Sequence, residues 1–166
     1  MQSGDLLSVL HRAEDALPNL LETAKWRSID IDYEFPRVER LWIPFEEQFR
    51  LYLHRIHPCI QALFHPHPWP SAVRIVDGRY EMGLGYGKEA PPEAARLILS
   101  SGSEYEMIDP DCWHSVRPLQ CSTISFMVSG LPWSRPSPGR HRSTKPLSNS
   151  GVDELLATFS RYLPRT

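Results

Sequence analysis

The sequence predicts an all-β domain, a sandwich or barrel of short strands, with an α-helix near each end of the chain. Between Arg40 and Gly130, short apolar runs alternate with turn residues such as Asp77-Gly78 and Pro91-Pro92, a pattern that is typical of such folds. The 16 prolines against nine glycines disfavour long helices in this region, because proline removes a backbone hydrogen-bond donor. The length of 166 residues suits one domain.

The first element expected is a helix over residues 5–24. Its apolar residues recur three or four positions apart and therefore share one face. Asp5 can cap its start, and Pro18 should kink or split it. We assign residues 1–39 to an N-terminal helical segment.

The strands of the barrel are expected within residues 40–133. Several runs alternate apolar and polar residues, as half-buried strands do, and Asp77-Gly78 is a typical hairpin turn. The predicted strands are Leu41–Ile43, Phe49–Ile56, Ala72–Val76, Arg79–Leu84, Ala95–Leu99, Tyr105–Ile108, Trp113–Val116 and Ser122–Val128.

The end of the chain divides into a linker and a helix. Residues 134–149 are basic, rich in proline and serine and poor in apolar residues, which favours a flexible linker. Residues 150–166 have apolar residues at helical spacing, and Ser150 with Asp153 resembles a capping box. We therefore expect an amphipathic C-terminal helix that packs on the core.

Charge and composition exclude several classes of protein. The net charge of −2 argues against a nucleic-acid binder, which usually has a basic excess. No apolar run reaches the length of about 18 residues that a membrane span needs, and Met1–Pro18 lacks the apolar core of a signal peptide. Three cysteines are too few for a disulfide scaffold. We expect a cytoplasmic protein with no nucleic-acid or membrane partner.

The motif that carries chemistry is His65-Pro66-His67. In an extended segment, side chains two residues apart point to the same side, so both imidazoles can face one cavity. His114, on a later predicted strand, is the best candidate for a third ligand. Neutral imidazole suits iron, zinc, nickel or copper. The alternative is that these are ordinary surface or packing histidines. His54 could be a fourth imidazole or could pair with the backbone.

These residues resemble the two motifs of the cupin superfamily. The first motif, H-x-H followed by an apolar strand and a glycine turn, is matched by His65-Pro66-His67 and residues 72–78. The second, which ends in P-x-x-x-H, is matched within Ser101–His114. The resemblance covers residues 50–130, and Leu53-His54-Arg55 with His67-Pro68-Trp69 is similar to a little-characterised group of small bacterial and phage cupins. It implies a metal-binding jelly-roll barrel, or double-stranded β-helix.

One position departs from the cupin pattern. The glutamate expected three or four residues after the second histidine falls on Pro70 or Ser71. Glu81 is the nearest substitute, as a metal ligand, as a general base or as a hydrogen-bond partner of a ligand histidine. The alternatives are a three-histidine site, similar to that of the thiol dioxygenase branch, and an exposed carboxylate at position 81.

Five neighbours are candidates for the rest of the site. An arginine that faces the cavity would bind a substrate carboxylate or phosphate through two hydrogen bonds, and Arg74, Arg79 and Arg117 are near the motif strands, although each is as readily explained by solvation. Tyr80 could donate its phenol to a substrate, with core packing as the alternative. Trp69 is expected to form a wall of the cavity.

The resemblance implies a metal-dependent enzyme that acts on a small, acidic organic molecule. His65, His67 and His114, with Glu81, would hold one divalent ion. Fe(II) is favoured and implies a dioxygenase-type oxidoreductase, whereas Zn, Ni or Mn would imply a lyase or isomerase. The alternatives are a ligand-binding module without turnover and a structural cupin without metal. The terminal helices could also mediate a homodimer.

Overall fold

The computed structural model of the chain describes residues 5–134 and 144–162. Residues 135–143 of the predicted linker and residues 163–166 of the predicted C-terminal helix lie outside this part. The twelve elements are α1 (Leu6–Thr23), β1 (Arg27–Ile31), β2 (Val38–Phe45), β3 (Phe49–Ile56), β4 (His65–Pro66), β5 (Ser71–Asp77), β6 (Arg79–Tyr86), β7 (Ala95–Ser100), β8 (Glu104–Met107), β9 (Cys112–Pro118), β10 (Thr123–Ser129) and α2 (Asn149–Tyr162).

Helix α1 starts as predicted and continues through its proline. The Asp5 carboxylate accepts hydrogen bonds from the backbone N–H of Leu7 at 3.2 Å and from the Ser8 hydroxyl at 2.8 Å, which caps the helix. Pro18 does not split the helix. It lies on the exposed face, where water can bond to the carbonyl that its missing N–H leaves unpaired. The helix ends at Thr23, so helix occupies only the first part of residues 1–39, and strand β1 follows.

The strands form two antiparallel sheets. One has six strands in the order β1-β2-β3-β10-β5-β8, and the other has four in the order β4-β9-β6-β7. From β3 to β10, strands that follow one another in the chain lie in opposite sheets, except β6 and β7, which pair as a hairpin, and this is the jelly-roll order. Gly78, with φ of 80°, therefore joins strands of opposite sheets. The hairpin predicted at Asp77-Gly78 is wrong, because β5 and β6 do not pair.

The largest apolar core lies outside the barrel, between the six-stranded sheet and the two helices. On β3, Leu51 and Leu53 face the helices, whereas Tyr52 and His54 face the opposite sheet. The helices therefore stabilise the sheet from its outer face, and the interior of the barrel is available for a cavity. Helix α1 contributes Leu6, Val9, Leu10, Ala13 and Leu17, and α2 contributes Leu155 and Phe159.

No helix in residues 5–134 or 144–162 is long and apolar enough to cross a lipid bilayer.

Candidate metal centre

Three histidines meet at one point between the sheets. Strand β4 pairs with β9 so that His65 lies opposite His114, and His67 follows two residues after His65. One ring nitrogen from each of the three lies within 4.8 Å of the others. The ring of His114 is 4.8 Å from that of His65 and 4.5 Å from that of His67, between centroids. The structure thus brings together the three imidazoles that the sequence predicts.

Hydrogen bonds orient two of these rings. Nδ1 of His65 lies 3.1 Å from the carbonyl oxygen of Leu63, which can only accept, so Nδ1 is the donor and Nε2 carries a lone pair. Nδ1 of His67 lies 2.8 Å from the hydroxyl of Ser71. Metal-ligating histidines are commonly oriented by such contacts through their second nitrogen.

The third histidine has an unsatisfied nitrogen. Nδ1 of His114 is buried and has no hydrogen-bond partner in the described part of the chain, and buried polar atoms of this kind are rare unless an ion or water satisfies them. An orphaned nitrogen beside two oriented imidazoles fits a metal ion bound by nitrogen ligands.

Burial keeps all three imidazoles neutral. Loss of hydration, together with smaller contributions from His65 and Arg40, lowers the pKa of His67 to about 3. Burial also lowers the pKa of His114, helped by His67 and His65, and that of His65. Because only neutral imidazole binds a metal, the cluster is in its binding state at pH 7.

The histidines open into a cavity of about 650 Å³ between the two sheets. Trp69 and Trp113 line it, as does Tyr80, whose hydroxyl donates to that of Tyr105 at 2.9 Å. Burial raises the pKa of both phenols, that of Tyr105 to about 12, so both keep their protons at pH 7. The structure thus places Trp69 and Tyr80 at the cavity.

Glu81 lies on the opposite side of its strand. Successive strand residues point to opposite faces, and since Tyr80 points into the barrel, Glu81 points out. Its Oε1 accepts hydrogen bonds from Nε and Nη2 of Arg117 at 3.2 and 3.1 Å and lies 3.4 Å from Nη1 of Arg96. The structure therefore does not bring Glu81 to the histidines, and it leaves the three-histidine alternative.

The three predicted arginines also lie outside the cavity. Arg74 follows the inward-facing Val73, so it points to the outer face, where it donates to Glu14 of α1 at 2.8 Å. Arg79 is exposed and contacts Gln120 at 3.3 Å, and it borders, with Arg117, a separate open depression on the surface. None of the three is placed to hold a substrate in the histidine cavity.

The structure instead brings a different arginine to the cavity. Arg40 lines it, and its Nε donates to Nε2 of His54 at 2.8 Å. Sequence reasoning missed Arg40 because it placed the strand at Leu41–Ile43. The structure extends that strand by three residues at its start. The extension puts Val38, Arg40 and Trp42 on one face of the strand, and this alternation is the sequence signal that could have identified Arg40.

Glu34 is a second cavity residue that the sequence did not single out. It precedes β2 and lines the cavity, and its negative charge raises the pKa of His65, against the effect of burial. No periodicity marks Glu34, because it lies in a segment without regular structure.

The strand order and the positions of the histidines decide the fold. Strands β3 to β10 have the jelly-roll order, and the two motifs predicted from sequence place their histidines on β4 and β9 and the loop after β4, at one cavity. The chain has the cupin fold. The resemblance seen in the sequence is thus confirmed at the level of architecture.

Comparison with known proteins gives structural similarity only. No family model and no curated protein matches this chain. Similar solved structures include hydroxypropylphosphonic acid epoxidase from S. wedmorenis (16% identity, TM-score 0.48, 62% of this chain and 55% of that one). Others are KdgF from Halomonas sp. (15%, 0.48, 66% and 90%) and an RmlC-like cupin from Shewanella frigidimarina (14%, 0.46, 72% and 89%). The match spans little more than half of the epoxidase.

Proposed function

We propose that this cupin is a metal-dependent enzyme in which His65, His67 and His114 bind one divalent ion and the adjoining cavity binds a small organic molecule. The observation that carries the proposal is the convergence of three neutral imidazoles, two half-buried and one buried with an unsatisfied nitrogen, on one side of a cavity. Its volume of about 650 Å³ is in the range of small-molecule sites.

The ion would supply chemistry that the side chains lack. With three protein ligands it keeps open positions at which it can polarise a substrate oxygen or, if it is iron, support reaction with dioxygen. Fe(II) and a dioxygenase-type oxidation are our first choice. Zn, Ni or Mn, with lyase or isomerase chemistry, are the alternatives that the same imidazoles accept.

The residues around the cavity would orient the substrate and exclude water. The carbonyl of Leu63 and the hydroxyl of Ser71 hold two of the rings. Tyr80 and Tyr105 form a protonated phenol pair that can donate a hydrogen bond to substrate. Trp69 and Trp113 cover the cavity with apolar surface, which limits hydration of the bound molecule and strengthens polar contacts inside.

A second candidate is a ligand-binding module without turnover. It is favoured by the position of Glu81, because the carboxylate considered as a general base points away from the cavity. Glu34 is the sole carboxylate among the described residues that line the cavity. Uptake of dioxygen with a panel of small acids separates the two candidates, since a module retains metal and consumes none.

The metal site is tested by elemental analysis of protein purified without chelators. We expect about one divalent ion per chain in the wild type and less than a tenth of that in His67→Ala and His114→Ala, because each loses one of three ligands. His11→Ala is the matched control, since its side chain is 54% exposed on α1. Equal metal content in all four proteins would contradict the proposal. The homodimer and the cytoplasmic location stay predictions.

A further inference from the structure

Arg40 is a partly buried cation without an acidic partner. Arg37, Arg55 and Arg74 each contact a carboxylate. Arg40 makes no ion pair with any residue in the described ranges, and burial lowers its pKa. Removing an unpaired charge from water is costly. Arg50 also lacks an ion pair, but it is exposed, so water solvates it.

The side chain of Arg40 is held from two directions. Arg40 lies directly across from His54 in the pairing of β2 with β3, and His54 Nε2 accepts its Nε–H at 2.8 Å. The guanidinium lies over the ring of Tyr52, 5.3 Å from its centroid, and Tyr52 stacks on Trp69 at 6.4 Å. Because the Nε–H of Arg40 already donates to His54, a ligand that accepts two hydrogen bonds from the guanidinium must approach it end-on and accept from its two Nη groups.

Arg40 also shares one cavity with the histidine cluster. The cavity is lined by Arg40 and by all three imidazoles. The positive charge of Arg40 acts on His65 and His67. A molecule that contacts the guanidinium therefore remains within the space next to the proposed metal ion.

We propose that Arg40 binds the anionic group of the small molecule that occupies this cavity, a carboxylate or a phosphate-type oxyanion, by an end-on contact of its two Nη groups. An anionic substrate class is thereby added to the proposed function. The anion site depends on that function only for where the reaction takes place, which is next to the metal ion. A guanidinium presents two parallel donors that match two oxygens of such a group. The anion would supply the counter-charge that the protein does not. His54 is a positioning residue, because it acts through Arg40.

Binding of matched probes tests the anion site directly. Isothermal titration of the metal-loaded wild type uses glycolate, its neutral amide glycolamide, and methylphosphonate. Glycolate differs from glycolamide in charge while keeping nearly the same shape. We expect an anion to bind at least about tenfold more tightly than the amide, since hydrogen bonds to a charged group are stronger than those to a neutral one. Preference for glycolate or for methylphosphonate tells which oxyanion fits.

Substitutions then assign the preference to Arg40. Arg40→Gln should abolish the preference for anion over amide, and Arg40→Lys should restore only part of it, because an ammonium is a point charge. Arg50→Gln, at an exposed arginine over Trp42, is the matched control and should bind as the wild type does. The metal content of every sample is measured in parallel by elemental analysis.

The outcomes separate this inference from the proposed function. An anion preference that disappears in Arg40→Gln supports it, even if the wild type holds no metal, which would refute the metal site alone. Equal binding of anion and amide by the wild type, no binding of either anion at millimolar concentration, or a preference unchanged in Arg40→Gln would overturn it. If Arg40→Gln does not fold, the comparison of glycolate with glycolamide on the wild type and on Arg40→Lys decides.

Discussion

Acidification should destabilise the metal-free protein because its fold buries neutral imidazoles. Burial lowers the pKa of His54 and His114 well below the ordinary value of 6.5 and that of His67 to about 3, whereas for His65 the Leu63 carbonyl and Glu34 oppose the effect of burial. The unfolded chain therefore binds protons first as the pH falls, and folding stability is fully present above pH 6.5 and is lost below it, toward the folded pKa, which is about 3 for His67. The sign follows from linkage of proton binding to unfolding.

The magnitude follows from the number of such groups. Each imidazole that stays neutral in the folded state costs about 1 kcal/mol between pH 6.5 and pH 5.5. Three of them predict a loss of about 3 kcal/mol, a large part of the roughly 5–15 kcal/mol that stabilises a typical domain. Carboxylates contribute little in this interval, because their ordinary pKa values are about 4.

Urea unfolding of chelator-treated protein, followed by circular dichroism from pH 7.5 to pH 5, measures this loss. His67→Gln removes one titrating group and should reduce the slope by about one third, since the slope counts protons taken up on unfolding. Arg50→Gln, which removes no histidine and lies at an exposed site, should leave it unchanged. A free energy of unfolding that stays constant over this range would refute the idea that the imidazoles are buried and neutral.

Four further results are expected. Metal occupancy at fixed free metal should persist below pH 6 and fall only in more acidic solution, because burial lowers the pKa of the ligands; a fall centred near pH 6.5, measured by elemental analysis, would mean exposed imidazoles. Leu10→Ala, in the core under α1, should lower the free energy of unfolding by about 2–5 kcal/mol in urea titrations without changing metal content. Glu81→Gln should leave the metal content measured by elemental analysis unchanged, because Glu81 contacts Arg117 outside the cavity. Loss of metal in this variant would show that Glu81 is a ligand. Tyr80→Phe should keep the metal but reduce turnover, and unchanged kcat would limit Tyr80 to packing.

The sequence predicted the parts of this molecule that depend on local pattern. Apolar periodicity located both helices and most strands, since a buried face repeats along the chain at the spacing of its secondary structure. The spacing of His65-Pro66-His67 showed that two imidazoles share a side, and the position of His114 on a later predicted strand, in agreement with the cupin resemblance, made it the candidate for the third. The helices, strands and His65-Pro66-His67 could be assigned from residues close in sequence. The meeting of distant histidines could be predicted because the two cupin motifs are known to lie together in the fold.

The errors arose where the face of a strand decides the role of a residue. Glu81 and Arg74 were near the motifs in sequence, but each follows a residue that points into the barrel, so each points outward. Arg40 was missed because the predicted strand began three residues too late, at Leu41 instead of Val38. The hairpin at Asp77-Gly78 was wrong because local turn chemistry does not tell whether two strands pair or cross between sheets.

X-ray absorption spectroscopy of the metal-loaded protein tests the central claim most directly, because it counts the imidazole nitrogens around the ion. We predict three imidazole ligands at about 2.0–2.2 Å, with the remaining positions filled by light atoms, and loss of this signal in His114→Ala, which should hold less than a tenth of the metal. A spectrum that fits sulfur ligands or no more than one imidazole, or that is identical in the wild type and His114→Ala, would contradict a single ion shared by β4, β9 and the segment that follows β4.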